Sequence, residues 1–375
     1  MKVAVPAETR PGERRVALVP DVVPKLTGAG LEVVVEAGAG RHAYATDDAY
    51  RAAGASVVDA DGLADAEVVL TVQPPDPEHV TELKPGTLLI GLLAPSAELP
   101  LVRALRDRGV TSFAMELVPR ISRAQSMDAL SSQALCAGYR AALVAADRLP
   151  RFFPLFMTAA GTVPPAKVLV LGAGVAGLQA IATARRLGAQ VEAYDVRTAA
   201  ADEVRSMGAT FIDLGLEALE AAGGYAAEAT EERARKQREL LSPYVGNADA
   251  LITTAAVPGR PAPLLVTGNM LAGMRPGSVV VDLAAETGGN CEPSRPGEEI
   301  WYGDVLVWGG RNVPSQLPVH ASQLYARNVA NLLLLMTDDG TVRPDFTDEI
   351  VDGCCLTRDG EVWHAPTRAL LEEAS

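Results

Sequence analysis

The sequence predicts an α/β protein of two Rossmann-like domains with mostly parallel sheets, joined by long helices. Three observations predict it. Short β-branched runs alternate with amphipathic stretches through the first 120 residues, and a second such series begins after Pro164-Pro165. A G-x-G-x-x-G turn separates a strand from a helix in that second series. The 375 residues, 48% hydrophobic and 21% charged, are too many for one ordinary core and suit two. Short apolar strands separated by helices imply sheets covered on both faces.

In the first series, Val3–Val5 is expected as a strand, Val16–Gly28 as a helix and Leu31–Glu36 as a second strand. A helix over Thr46–Ala53 precedes strands at Val68–Val72 and Leu88–Leu92, then a helix over Leu99–Arg108 and a strand at Thr111–Ala114. Gln125 to Leu149 holds no Pro and one Gly, and is expected as a long connecting helix. Phe152–Met157 is an apolar run that suits either core or an inter-subunit contact.

The second series gives a strand at Lys167–Leu171, a helix at Val175–Leu187 and strands at Val191–Tyr194, Leu251–Thr253, Val279–Asp282 and Val305–Trp308. Gly223-Gly224-Tyr225 precedes a charged helix over Glu228–Leu240, which suits a surface lid or an ordinary solvated helix. A helix over His320–Thr337 and an irregular tail return the chain to the first domain. The expected domains are residues 1–127 with 315–375, flavodoxin-like, and the nucleotide-binding domain 128–314.

A net charge of -14 argues against a nucleic-acid partner, which needs a basic face. The four cysteines, 136, 291, 354 and 355, form no C-x-x-C pair and suit reduced thiols. With the four histidines unclustered, no metal site is expected. Residues 1–6 lead into a strand rather than an apolar leader, and no run reaches membrane-spanning length.

The most informative motif is Val168-Leu169-Val170-Leu171-Gly172-Ala173-Gly174-Val175-Ala176-Gly177-Leu178. Gly172 permits a tight turn, Gly174 lets the backbone approach a pyrophosphate, and Gly177 permits close helix–sheet packing. Val175 and Ala176 open the helix whose exposed N–H groups and positive dipole end would meet the phosphates. Asp195 stands 18 residues after Gly177, at the end of the next strand, where a carboxylate accepts the ribose hydroxyls. The expected cofactor is NAD(H), although Arg197, beyond Val196, could partly accommodate a 2′-phosphate.

Pro6-Ala7-Glu8-Thr9-Arg10 and Glu13-Arg14-Arg15-Val16-Ala17-Leu18-Val19-Pro20 resemble the opening of the alanine dehydrogenase and transhydrogenase superfamily. The junction stretch from Pro119-Arg120 through Gln125, Asp128 and Ser131 to Gln133 resembles the nicotinamide-side loop of proton-translocating transhydrogenases. Met157–Ala166 and Gly288-Gly289-Asn290-Cys291 resemble the same family. A nicotinamide carboxamide offers one acceptor and two donor hydrogens, and Arg120, Gln125, Asp128 and Ser131 supply matching groups within 12 positions. The resemblance makes these four the candidate catalytic residues. Arg120, Asp128 and Ser131 would hold NAD(H), and Gln125 would reach toward NADP(H) presented by a partner. A helix N-terminus capped by Ser126 or Asp128 is the alternative reading of the stretch. The resemblance also implies that Gly224-Tyr225 belong to a mobile loop and that Thr254-Ala255 line the nucleotide site. It implies a homodimer that is cytoplasmic and peripheral, held at the inner face of the plasma membrane by partner subunits carrying the proton channel and the NADP(H)-binding domain.

The competitor within the superfamily is amino-acid oxidoreduction, which needs a positioned acid/base and a cation for the substrate carboxylate. The dehydrogenases carry a Lys and a His where this sequence reads Thr71-Val72-Gln73-Pro74-Pro75 and Gly91-Leu92-Leu93-Ala94-Pro95. They also carry Asp where Asp282-Leu283-Ala284-Ala285-Glu286 has Glu. Arg15 is retained and is expected in a structural ion pair. A third reading is an inactive nucleotide-sensing protein, which would bind NAD without partner-dependent turnover.

Overall fold

The computed structural model describes all residues except 218, 220–229, 257–258 and 374–375, and divides into two units, 1–133 with 314–375, and 134–313. The first unit is built on an eight-stranded sheet. Six parallel strands run in the order Ser56–Val58, Glu32–Glu36, Lys2–Val5, Val68–Leu70, Leu88–Gly91 and Thr111–Ala114. Numbered along the chain this is 3-2-1-4-5-6, the doubly wound order, with a crevice where the first strand parts company from the fourth. Continuous β-branched runs such as Val33-Val34-Val35 are buried because helices cover both faces.

The expected irregular tail is a correction. Cys355–Arg358 and Glu361–Val362 form a hairpin that extends this sheet antiparallel from Thr111–Ala114. Asp359 and Gly360 both take positive φ in its turn, the Asp-Gly signature of a two-residue hairpin loop. The hydroxyls of Thr357 and Ser112 meet at 2.6 Å in the core.

Two helix boundaries also move. Val16–Val19 are not helical. Pro20 holds Val19 extended, and only the turn Pro20–Val22 precedes the helix Val23–Gly28. The long connecting helix begins at Ala129 rather than Gln125, ending at Arg148, because Asp128 caps it and Ser122–Met127 form 3-10 turns.

The second unit repeats the plan. Parallel strands run Thr210–Phe211, Gln190–Tyr194, Lys167–Leu171, Ala250–Thr253, Val279–Asp282 and Val305–Gly309, again 3-2-1-4-5-6, with Glu299–Tyr302 antiparallel at the edge. The charged helix starts at Glu231 under a Thr230 cap and passes through Pro243 to Asn247, beyond the expected end at Leu240. Of the apolar run, Phe153 is buried, whereas Phe152, Leu155, Phe156 and Met157 are exposed beside the hairpin Phe156–Thr158 and Gly161–Val163. The core reading therefore holds for Phe153 alone. No helix among the described residues is long and apolar enough to cross a membrane.

Gly138 lies where helix Ala129–Arg148 meets helix Val175–Arg186, and a Cβ there would stand 2.0 Å from the Ala176 carbonyl oxygen. Gly138→Ala is expected to lower unfolding stability by about 1–3 kcal/mol, because the contact is backbone and cannot yield without moving a helix. Gly28→Ala, whose Cβ meets open space, should change it by less than about 0.5 kcal/mol. Urea denaturation of both variants checks the pair.

Candidate functional site

In the second unit the crevice lies beyond the C-terminal ends of the first and fourth strands, Lys167–Leu171 and Ala250–Thr253. Gly172 turns the chain with φ +100°, and a Cβ on it would stand 2.6 Å from the Thr254 hydroxyl. That hydroxyl donates to the Gly172 carbonyl at 3.0 Å, joining the two strand ends. A Cβ on Gly177 would lie 1.9 Å from the Gly172 carbonyl oxygen, so the helix can sit this close only without a side chain. Gly174 is the N-cap of Val175–Arg186 and contributes no capping side chain, and a Cβ there would meet nothing within 4 Å. The first helical turn thus presents backbone donors to an open face, with Val175 exposed, Ala176 half-buried and Gly177 buried. This geometry fits a pyrophosphate.

Asp195 braces the turn from the neighbouring strand. One carboxylate oxygen accepts the Ala173 N–H at 2.7 Å, and the other accepts the Arg197 N–H at 2.9 Å. The Arg197 guanidinium lies on the same carboxylate, at 2.9 Å from Nε and 3.1 Å from Nη2. Arg197, read from sequence as a partner for a 2′-phosphate, is therefore ion-paired to Asp195. Val196 packs its side chain on the apolar group under Leu169 and Leu171.

Sequence reasoning left out two residues that shape this crevice. Asn290 accepts the Ala255 N–H at 3.0 Å and donates to the carbonyls of Ala255 and Pro263, both at 2.8 Å. Asn290 is itself fixed by Asp282, which is fully buried and accepts hydrogen bonds from Thr253, Ala284, Asn290 and Cys291 at 2.9–3.1 Å. Burial pushes the Asp282 carboxyl up and these donors pull it back. The signal for Asp282 was an acid ending the apolar strand Val279-Val280-Val281.

In the first unit, Arg120 and Gln125 are exposed on the loop before helix Ala129–Arg148. Asp128 makes the helix cap: its oxygens accept the Ser131 N–H at 2.8 Å and the Ser131 hydroxyl at 2.6 Å. Ser126 does not cap, and its carbonyl instead accepts from Asn328 and Asn331. The structure thus gathers Arg120, Gln125, Asp128 and Ser131 on one loop and helix start of the first unit. It gathers Gly172–Gly177, Asp195–Arg197 and Thr254–Ala255 around one crevice of the second. Gly224 and Tyr225 lie outside the described residues.

The corresponding crevice of the first unit is filled from within. After its first strand comes Pro6-Ala7-Glu8 instead of a glycine turn, and the Glu8 carboxylate accepts the N–H groups of Val72 and Gln73 at 2.6 and 3.0 Å. Buried Arg15 is clasped by Glu13 through Nε at 2.8 Å and Nη2 at 2.6 Å, and the Gln73 amide donates to Glu13 at 2.8 Å. A cavity of ≈ 270 Å³ opens over Glu8, Glu13, Arg15 and the exposed Arg41 and His42, with its buried cation already paired.

Residues 4–137 match the family model "Alanine dehydrogenase/PNT, N-terminal domain", and residues 141–365 match "Alanine dehydrogenase/PNT, C-terminal domain". The chain is 50% identical over 376 residues to an NAD(P) transhydrogenase alpha subunit of Rhodospirillum rubrum, covering 97% of this chain and 98% of that one. It is 34% identical over 349 residues to the alanine dehydrogenase of Mycobacterium tuberculosis, covering 91% and 88%. A solved transhydrogenase structure from Sinorhizobium meliloti superimposes with a TM-score of 0.86 at 43% identity, covering 98% of this chain and 100% of that one.

Desolvation sets a pH dependence at Glu8, raising its carboxyl from 4.5 to about 7 against the pull of its two N–H donors. Between these values the folded chain holds a proton that the unfolded chain has released. Stability from this group is therefore full below about pH 4.5 and falls as pH rises to about 7, by at most about 1.4 kcal/mol per pH unit. Urea unfolding of the parent and Glu8→Gln between pH 4.5 and 8 should show the parent losing stability relative to the variant over that window. Parallel curves would reject this assignment.

Proposed function

The chain belongs to the alanine dehydrogenase/PNT family, and from that premise we propose that it is the NAD(H)-binding component of a proton-translocating transhydrogenase. The observation that carries the reading is the contrast between the two crevices. One is a glycine turn with open backbone donors, and the other has its buried cation clasped by Glu13. Amino-acid oxidoreduction would need that cation for a substrate carboxylate, and a Lys or His where Gln73 and Leu93 stand. The higher identity to a relative named as a transhydrogenase subunit than to one named as an alanine dehydrogenase supports the same choice.

Hydride transfer between two nicotinamides needs no proton to enter or leave the reacting carbons, so a site without a general base is sufficient. Bound NADH supplies the hydride, and NADP+ on a partner subunit receives it. The N–H groups of Val175, Ala176 and Gly177 bind the pyrophosphate, and Gly174 leaves room for it. Asp195 accepts the adenosine ribose hydroxyls, with Arg197 exchanging its hold as the sugar arrives and Val196 beneath. Thr254 and Ala255 line the floor of the turn. Arg120, Asp128 and Ser131 hold the carboxamide, and exposed Gln125 meets the second nucleotide. What remains for the protein is orientation and exclusion of water. The exposed Phe152, Leu155, Phe156 and Met157 form the contact of a homodimer. The proton channel and the NADP(H) site belong to membrane partners, which hold this subunit at the cytoplasmic face.

Gln125→Asn is expected to lower the rate of NADP+ reduction by NADH about 10–100-fold in the presence of the NADP(H)-binding partner, at unchanged NADH affinity. Steady-state kinetics and a fluorescence titration with NADH check it. A parent chain that binds NADH tightly but never reduces NADP+ with the partner would instead favour the nucleotide-sensing reading.

A further inference from the structure

The exposed loop that carries Gln125 is a weak structure by itself. Ser122–Met127 form 3-10 turns, whose hydrogen bonds are poorer than those of an α-helix. It is nevertheless fastened at one atom, the Ser126 carbonyl oxygen, which accepts from Asn328 Nδ2 at 2.9 Å and from Asn331 Nδ2 at 3.1 Å. The Arg123–Asp348 pair adds a second hold at 2.6 and 2.8 Å, but Arg123 is half exposed and the pair is screened by solvent.

The first fastening runs back into the core through side chains alone. Arg15 Nη1 donates to Gln133 Oε1 at 2.8 Å, and Gln133 Nε2 donates to Ser132 Oγ at 3.2 Å. Ser132 Oγ donates to Asn328 Oδ1 at 2.8 Å, and Asn328 then donates to Ser126. Arg15, Gln133 and Asn328 are all buried. The direction of every link follows from the first. A guanidinium only donates, so Gln133 must turn its oxygen toward Arg15 and its amide hydrogens toward Ser132 and the Ala321 carbonyl. Ser132 therefore accepts from Gln133 and gives its own proton onward. Asn328 must then face it with oxygen and present N–H to Ser126. Bonds aligned in one sense polarise one another, most strongly where a charge heads the chain.

We propose that Arg15, Gln133, Ser132 and Asn328 form a polarised positioning network that holds the Gln125 loop for hydride transfer. The inference rests on the transhydrogenase reading and gives the ion-paired Arg15 a task in it. None of the four touches substrate. They act by fixing Ser126, one residue from Gln125, and displacement of a reacting pair by about 1 Å lowers rates on the order of 100-fold.

Ser132 is the link to cut, since its removal leaves the Glu13–Arg15 pair intact. In the full chain, Ser132→Ala should raise amide hydrogen exchange across residues 122–128 at least about 10-fold while the strands keep their protection. With the NADP(H)-binding partner it should lower kcat for NADP+ reduction about 10–100-fold with KM for NADH changed less than about 2-fold. Ser132→Thr, which keeps the hydroxyl, should recover both. Unchanged exchange in the loop overturns the network, and increased exchange at unchanged kcat overturns its part in hydride transfer. Loss of NADH binding together with kcat overturns positioning in favour of a general structural role. A parent chain without hydride transfer sinks the functional reading and the positioning role with it, while the loop-exchange result still decides whether the network exists.

Discussion

Much of the second unit depends on one steric constraint, the approach of helix Val175–Arg186 to the turn that precedes it. Two glycines set it, Gly177 against the Gly172 carbonyl and Gly138 against the Ala176 carbonyl, each with space for no side chain. A helix held that close points its first-turn donors at the crevice between strands Lys167–Leu171 and Ala250–Thr253. Asp195 and Thr254 then tie the turn to the strands on either side. Anion binding by the backbone is the consequence of this packing, since Gly174 leaves the helix end without a side-chain cap.

Both units use the same strand order, so fold alone does not choose which crevice takes a nucleotide. The residues after the first strand choose. In the second unit they are glycines and the crevice stays open. In the first they are Pro6-Ala7-Glu8, and the Glu8 carboxylate takes the strand-end donors that a ligand anion would use. Charge that serves substrate elsewhere in a family is here turned inward: Glu13 neutralises Arg15, and the remaining guanidinium donor enters a hydrogen-bond chain.

Most strands were legible because their β-branched runs are buried on both faces and bounded by Gly, Pro or Asp. The glycine turn was legible because its requirements are local: a φ of +100° at Gly172 and close approach at Gly177 leave few residue choices. What escaped was of two kinds. Short elements such as Ser56–Val58 and the Cys355–Arg358 hairpin are too brief for periodicity, although Asp359-Gly360 marked the second. Long-range polar ties such as Asp282 to Asn290, or Asn328 to Ser126, join residues 8 and 202 positions apart. Side-chain hydrogen bonds of that kind follow from tertiary packing and leave no pattern in the chain. Helix ends failed at Val16 and Gln125, where Pro20 and Asp128 overrode a helical run of apolar residues.

In the proposed reaction, hydride passes directly between two nicotinamides and no protein group exchanges protons with the reacting carbons. Isotope transfer decides it: NADH carrying deuterium on the transferred position of C4, mixed with NADP+, this chain and its NADP(H)-binding partner in ordinary water. Direct passage requires one deuterium in each NADPH formed and none in the solvent. Unlabelled NADPH, with deuterium lost to water, would contradict it.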